Sequence, residues 1–202
     1  MADNEQFRLF IAVSIPEEVK ARMEAAQEEL RRALRSHSVR WTRPEQFHLT
    51  LKFLGAVAAA RAAELEGALR AACREFGPLQ LRAERVGFFP DQRYPRVVWL
   101  GVQDADDRLT RLQQAVDTAT RAFAAEQKEE RFSGHVTLAR IKGLHRSEAE
   151  ALSQAAAGMG ERLFGQWTAL EVELMRSELM SQGARHSSLA SIPLADLPVQ
   201  LA

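Results

Sequence analysis

Residues 134–140 read GHVTLAR and residues 47–54 read FHLTLKFL, so the order His, apolar residue, Thr, Leu stands twice in the chain, at His48 and at His135. Both stretches have the apolar and β-branched content of a strand. Successive side chains of a strand point to opposite faces, so His48 and Thr50 look one way and Leu49 and Leu51 the other. His135 and Thr137 are set against Val136 and Leu138 in the same way. A lone histidine on a strand is most simply a satisfied structural group. With 5 His, 7 Thr and 24 Leu in 202 residues, however, two of five histidines in this setting is a coincidence on the order of one or two in ten thousand.

Working outward, FRLFIAVSI (7–15) is a strand stopped by Pro16, and residues 16–36 carry apolar side chains at helical spacing with Glu17 and Glu18 in the first turn. VRWT (39–42) and FHLTLKFLG (47–55) form two strands around a Pro44 turn. Residues 58–76 form a helix ended by Gly77 and Pro78, and 79–89 and 96–102 form strands. A helix is predicted over 104–127, a strand over 132–142, a helix over 145–158, and closing strands over 167–179 and 187–194. Each half of the chain contains a strand pair, a helix and an HxTL strand, a weak internal duplication. No low-complexity linker divides them, so residues 1–202 are read as one two-lobed domain.

Hydrophobic residues make up 46% and charged residues 27%, ordinary values for a globular protein. The 27 basic and 27 acidic side chains cancel, which argues against a nonspecific grip on long nucleic acid and requires a local cluster to hold any anion. The single cysteine, Cys73, forms no internal disulfide and reads as a small core residue. No stretch has the pattern of a secretion signal or the length of a membrane span, so a cytoplasmic protein without a membrane partner is expected.

Two imidazoles facing one cleft supply a base and an acid near neutral pH. Hydrolysis of a cyclic phosphodiester needs both: water is deprotonated on one side of phosphorus and the departing sugar oxygen is protonated on the other. The hydroxyls of Thr50 and Thr137 suit the non-bridging phosphate oxygens, whose charge grows in the transition state. Arg140, five positions after His135, is the first candidate cation, and Lys52, on the same nominal face as His48 and Thr50, is the second.

At these residues the chain resembles the two-histidine phosphoesterase superfamily, and most closely the bacterial and archaeal RNA 2',3'-cyclic phosphodiesterases, also called 2'-5' RNA ligases. RLFIAVSIP, RWTRPEQFHLTLKFLG, FFPDQRYPRVVWLGV, FSGHVTLARIK and LMRSELMSQGARHSSLASIPL carry the resemblance over essentially the whole chain. It implies an α+β, bilobal, pseudo-duplicated fold in which two antiparallel sheets form a V-shaped cleft with helices outside. It implies that His48 is the proton donor, that His135 is the proton acceptor, and that Thr50, Thr137 and Arg140 bind phosphate. The implied substrates are RNA ends, either a 2',3'-cyclic phosphate or tRNA halves joined reversibly without ATP by a monomer that needs no metal and no cofactor. The five histidines likewise show no metal-ligand spacing. Gly134 stands where the family often has Pro, and His186 where it commonly has Tyr.

Two other functions fit the same residues: a phosphodiesterase for small cyclic nucleotides, and a noncatalytic RNA-end binding module. His37 and His145 are read as helix-end and loop residues, and Trp41 and Trp99 as core or lobe-interface residues. Phe88, Phe89 and Tyr94 flank a loop suited to stacking on a base, and Arg40, Arg43 and Arg131 are candidates for a basic rim.

Overall fold

The parity of apolar positions decides which face of each element is covered. The structure, a computed structural model, describes residues 5–34, 36–124, 132–180 and 183–195. Its elements are β1 (Gln6–Val13), α1 (Glu17–Ala33), β2 (Val39–Trp41), β3 (Leu49–Ala58), α2 (Ala62–Cys73), β4 (Leu79–Phe89) and β5 (Val97–Gln103), then α3 (Arg108–Ala119), β6 (His135–Ile141), α4 (Arg146–Ala157), β7 (Leu163–Ala169), β8 (Glu171–Met180) and β9 (Gly183–Pro193). One sheet has the order β3-β1-β8-β9 and the other β2-β6-β5-β4-β7, with every neighbour antiparallel. This is the expected α+β class with two antiparallel sheets.

Each helix lays an apolar stripe on a sheet. On α1, Val19, Met23, Ala26, Gln27 and Leu30 are buried, the spacing of one helical face. Burying each of the larger apolar side chains among them contributes roughly 1.5–3 kcal/mol. On α2 the buried residues are Leu65, Leu69 and Cys73, which makes the cysteine a core residue as expected. Helices α2 and α3 pack on the first sheet, α1 and α4 on the second. Each sheet takes strands from both halves of the chain, so lobes and halves do not coincide. One helix of each half also crosses over: α1 follows β1 of the first sheet but covers the second, and α3 follows β5 of the second but covers the first.

The two motif strands, β3 and β6, approach each other where the sheets meet, and both carry an irregularity at the same motif position. In β3, Thr50 pairs with Ala12 and Lys52 with Ile11, which leaves Leu51 as an extra residue. In β6, Thr137 pairs with Trp99 and Ala139 with Val98, which leaves Leu138 extra. The leucine of each HxTL is thus a β-bulge, and just past the end of β2 the Leu138 carbonyl accepts from the Thr42 backbone N–H at 2.9 Å. A glutamine from the facing helix also donates to each leucine carbonyl. Gln27 of α1, 2% exposed, donates through Nε2 to the carbonyls of Leu138 and Thr42, both at 2.8 Å. Gln113 of α3 donates to the Leu51 carbonyl at 3.4 Å.

Three sequence expectations change. Residues 167–179, read as one strand, are two: β7 ends at Ala169 in the second sheet, β8 starts at Glu171 in the first, and Leu170 between them is exposed. The buried set passes from Trp167 and Ala169 to Val172 and Leu174, so the covered face switches parity there. The helix read over 104–127 spans only Arg108–Ala119. The Asp104 carboxylate accepts hydrogen bonds from the Arg108 and Leu109 backbone N–H groups, and the buried Thr120 hydroxyl turns back onto the Val116 carbonyl before a short 3₁₀ turn. Residues 125–127 lie outside the described chain. His48 precedes the first residue of β3, after a 3₁₀ turn at Pro44–Gln46, yet it keeps the expected alternation: Leu49 is fully buried while His48 and Thr50 are half-buried.

Gln27→Leu removes two short hydrogen bonds, the one to Leu138 buried and the one to Thr42 partly so, and should cost about 1–3 kcal/mol in urea unfolding. Gln113→Leu, which removes one long and partly exposed bond, should cost less. Equal losses would mean that bulge capping is not what Gln27 contributes.

Candidate active site

His48 sits against two rings on the uncovered face of the first sheet. Its imidazole lies 4.8 Å from the Phe10 ring and 5.1 Å, edge-on, from that of His186 on β9, and Phe10 and His186 are 4.9 Å apart. Burial is the main force on the His48 titration. Together with positive charge from His186 and Lys20, and against a hydrogen bond to the Gln46 backbone, it pushes the pKa down from 6.5 to about 4. Burial also lowers His186, whose Nδ1 is buried without a hydrogen-bond partner among the described residues.

His135 occupies the matching place on the second sheet. Phe89 meets its ring edge-on at 5.1 Å and Trp99 lies at 6.5 Å. The Ser133 carbonyl, two residues back, accepts from Nδ1 at 2.7 Å. A carbonyl only accepts, so the proton is on Nδ1 and the Nε2 lone pair is free to take another. His135 is also lowered, first by burial and then by the nearby Arg140 charge, against the Ser133 hydrogen bond.

The bulges decide which cation stands with the histidines. Strict alternation puts the position four residues after each histidine on its face and the position five after on the opposite one. One extra residue inverts this. Lys52 therefore turns to the helix side, where its ammonium sits 2.8 Å from the Asp117 carboxylate and 2.8 Å from the Asp117 carbonyl. Lys52, expected as the second phosphate cation, is instead tied to α3 by this ion pair, on the face away from His48. Arg140, five after His135, comes round beside His135 and has no carboxylate partner among the described residues. Arg40 of β2 is its direct cross-strand partner, also without a carboxylate among the described residues. Like charges opposite one another are unfavourable until an anion lies between them. Neither the Thr50 nor the Thr137 hydroxyl is engaged by another described residue.

The other candidates divide. Phe89 and Trp99 belong to the His135 cluster, whereas Phe88 and Trp41 pack against the core and Tyr94 stands exposed. His145 caps α4 together with Glu148, and His37 is exposed on the surface. Arg131 lies outside the described residues. Among the described residues no cluster of three His, Cys, Asp or Glu side chains is arranged for a metal ion, and no helix is long and apolar enough to cross a membrane. Sequence reasoning missed His186 as a site residue, although its position in the closing segment had marked it as unusual.

His186→Phe removes a nearby positive charge, so the His48 imidazole, followed by NMR, should titrate above its value of about 4. An unchanged midpoint would show that the His186 charge does not contribute to it. The fold holds these three imidazoles neutral below the unfolded-state value of 6.5, so stability should fall as pH drops from about 6.5 toward 4. Thermal melts across that range would check this.

Comparison with known proteins gives one consistent answer. The family described as LigT like Phosphoesterase matches this chain twice, over residues 13–99 and 100–186, with one HxTL motif in each match. An RNA 2',3'-cyclic phosphodiesterase of Aeropyrum pernix is 32% identical over 151 residues, 75% of this chain and 84% of that protein. One of Methanothermobacter thermautotrophicus is 29% identical over 182 residues, 90% of this chain and 96% of that one. A crystal structure of a Thermus thermophilus protein superposes with a TM-score of 0.76 at 27% identity, covering 94% of this chain and all of that one. Escherichia coli LigT complexed with 3'-AMP shares the fold at a TM-score of 0.73 and 22% identity, covering 94% of this chain and 99% of that one. With two motif-bearing matches spanning most of its length, the chain belongs to the LigT-like phosphoesterase family.

Proposed function

We propose that the protein is an RNA 2',3'-cyclic phosphodiesterase that opens a terminal cyclic phosphate to a 2'-phosphomonoester by acid–base catalysis between His48 and His135. The observation that carries this is the pairing of two half-buried imidazoles, one on each sheet. Each has an unengaged threonine hydroxyl two residues on, and an arginine without a carboxylate partner stands beside one of them. The names of the curated relatives supply the substrate class.

In the proposed reaction His135 Nε2 takes a proton from water as its oxygen attacks phosphorus. The bond from phosphorus to the 3'-oxygen breaks, and that oxygen takes a proton from His48. Thr50, Thr137 and Arg140 hold the non-bridging oxygens, with Arg40 on the flank. Exchange with solvent returns one proton to His48 and removes one from His135. With a 5'-hydroxyl in place of water, the same steps join two RNA ends, such as tRNA halves, in a 2'-5' bond without ATP, and run in reverse they break that bond and re-form the cyclic phosphate. Both histidines come from one chain, so residues 1–202 act as one two-lobed unit and a monomer suffices. We place its work in the cytoplasm.

Burial lowers both imidazoles, so both ionisations of the free enzyme fall below 6.5. The kcat/KM profile should be bell-shaped with both limbs below pH 6.5. The bound phosphate anion favours both imidazolium ions, so the kcat limbs should lie higher. A maximum of kcat/KM above about pH 7 would refute this assignment of pKa values.

The direct test follows phosphorus by NMR in a short oligoribonucleotide ending in 2',3'-cyclic phosphate, with EDTA present. Wild type should release a 2'-phosphomonoester, and His48→Ala or His135→Ala should lose roughly 10²–10⁴-fold in rate. Arg140→Met should lose about 10²-fold, whereas Lys52→Met, whose lysine is tied to Asp117, should stay near wild type. Binding without turnover would make the protein a noncatalytic RNA-end module, and faster turnover of small cyclic nucleotides would change the substrate.

A further inference from the structure

An exposed apolar side chain is ordinary by itself, but Phe53 has a particular place. It is 65% exposed and stands five residues after His48, as Arg140 stands five after His135. The bulge at Leu51 turns it onto the uncovered face, as the bulge at Leu138 turns Arg140. Its strand partner is Phe10, whose ring lies 6.0 Å from that of Phe53 and 4.8 Å from His48. The two sites that answer each other in the duplicated fold thus hold a guanidinium beside one imidazole and a solvent-facing phenyl ring beside the other. With so much of its surface in water, Phe53 gains little from the core.

We propose that Phe53 is the stacking surface for the nucleobase of the terminal nucleoside, the one whose 3'-oxygen departs. The inference rests on the function proposed above and adds a base subsite to it. The departing oxygen belongs to the ribose, and the ribose carries the base. An in-line displacement puts attacking water and departing oxygen on opposite sides of phosphorus, so the nucleoside lies on the side of the group that protonates it. That group is His48, and Phe53 is the exposed aromatic ring of its sheet face. A phenyl ring stacks on any base, because every base has a π-face. The subsite therefore holds a nucleobase firmly without choosing among the four.

Two substrates separate this from the underlying chemistry: an oligoribonucleotide ending in 2',3'-cyclic phosphate, and the same strand with an abasic terminal ribose 2',3'-cyclic phosphate. Phe53→Ala should raise KM for the first by about tenfold or more with kcat little changed, leave the abasic strand unaffected, and melt like wild type. Phe53→Trp should restore KM. Wild type should itself bind the abasic strand more weakly by a factor similar to that of the alanine substitution. An equal effect of Phe53→Ala on both strands, or none on the base-bearing one, overturns the stacking role while leaving the phosphodiesterase in place. Failure of wild type to turn over either strand removes the phosphodiesterase, and the subsite with it.

Discussion

One extra residue in each motif strand governs the arrangement of the site. A strand of strict period two cannot present positions 0, 2 and 5 on one face. The bulges at Leu51 and Leu138 make that possible, and they bring Phe53 and Arg140 to the faces that carry His48 and His135. A buried carbonyl needs its hydrogen bonds met. At Leu138 the Thr42 N–H and Gln27 share that task, and at Leu51 Gln113 donates, each glutamine from the opposing helix. The geometry of the candidate site and the core hydrogen bonding are therefore parts of one arrangement, in which neither glutamine touches the site and both hold the backbone that shapes it.

The electrostatics follow from burial more than from ion pairing. The histidines carry no carboxylate partner among the described residues to hold their protons, and Phe10, Phe89, Trp99 and His186 exclude water from them. Desolvation favours the neutral form of the imidazoles. The arginines beside them, Arg40 and Arg140, face each other across two strands with no described acid between. Such a site is unfavourable to itself and favourable to an anion, which relieves the arginine repulsion and makes an imidazolium easier to form.

Much of this was legible in the sequence. The repeated His-x-Thr-Leu showed half-buried strands and marked both histidines, and alternation placed Leu49 and Val136 in the core, where they are. Alternation failed where a bulge intervened, because no residue of LTLKF announces the extra position. Lys52 was read on the histidine side and lies on the other. Arg140 was expected from its chemistry, although strict parity would have turned it away. The break at Leu170 did leave a trace: Trp167 and Ala169 share one parity and Val172 and Leu174 the other. His186 approaches His48 through strands 138 positions apart in sequence, a distance across which local pattern carries no information.

The exchange of helices between the halves has a consequence for symmetry. The bulge in β6 is held by a helix from the first half, and the bulge in β3 by a helix from the second. A chain of half this length, with one motif and one glutamine-bearing helix, would have no partner for its own strand. Two copies related by a two-fold axis would supply each other, each lending its helix to its neighbour in an isologous swap. The present chain has the architecture of such a dimer written as one polypeptide. Because its halves are covalently joined and free to differ, one side of the pseudo-axis carries an arginine where the other carries a phenylalanine, an asymmetry that a true homodimer could not hold.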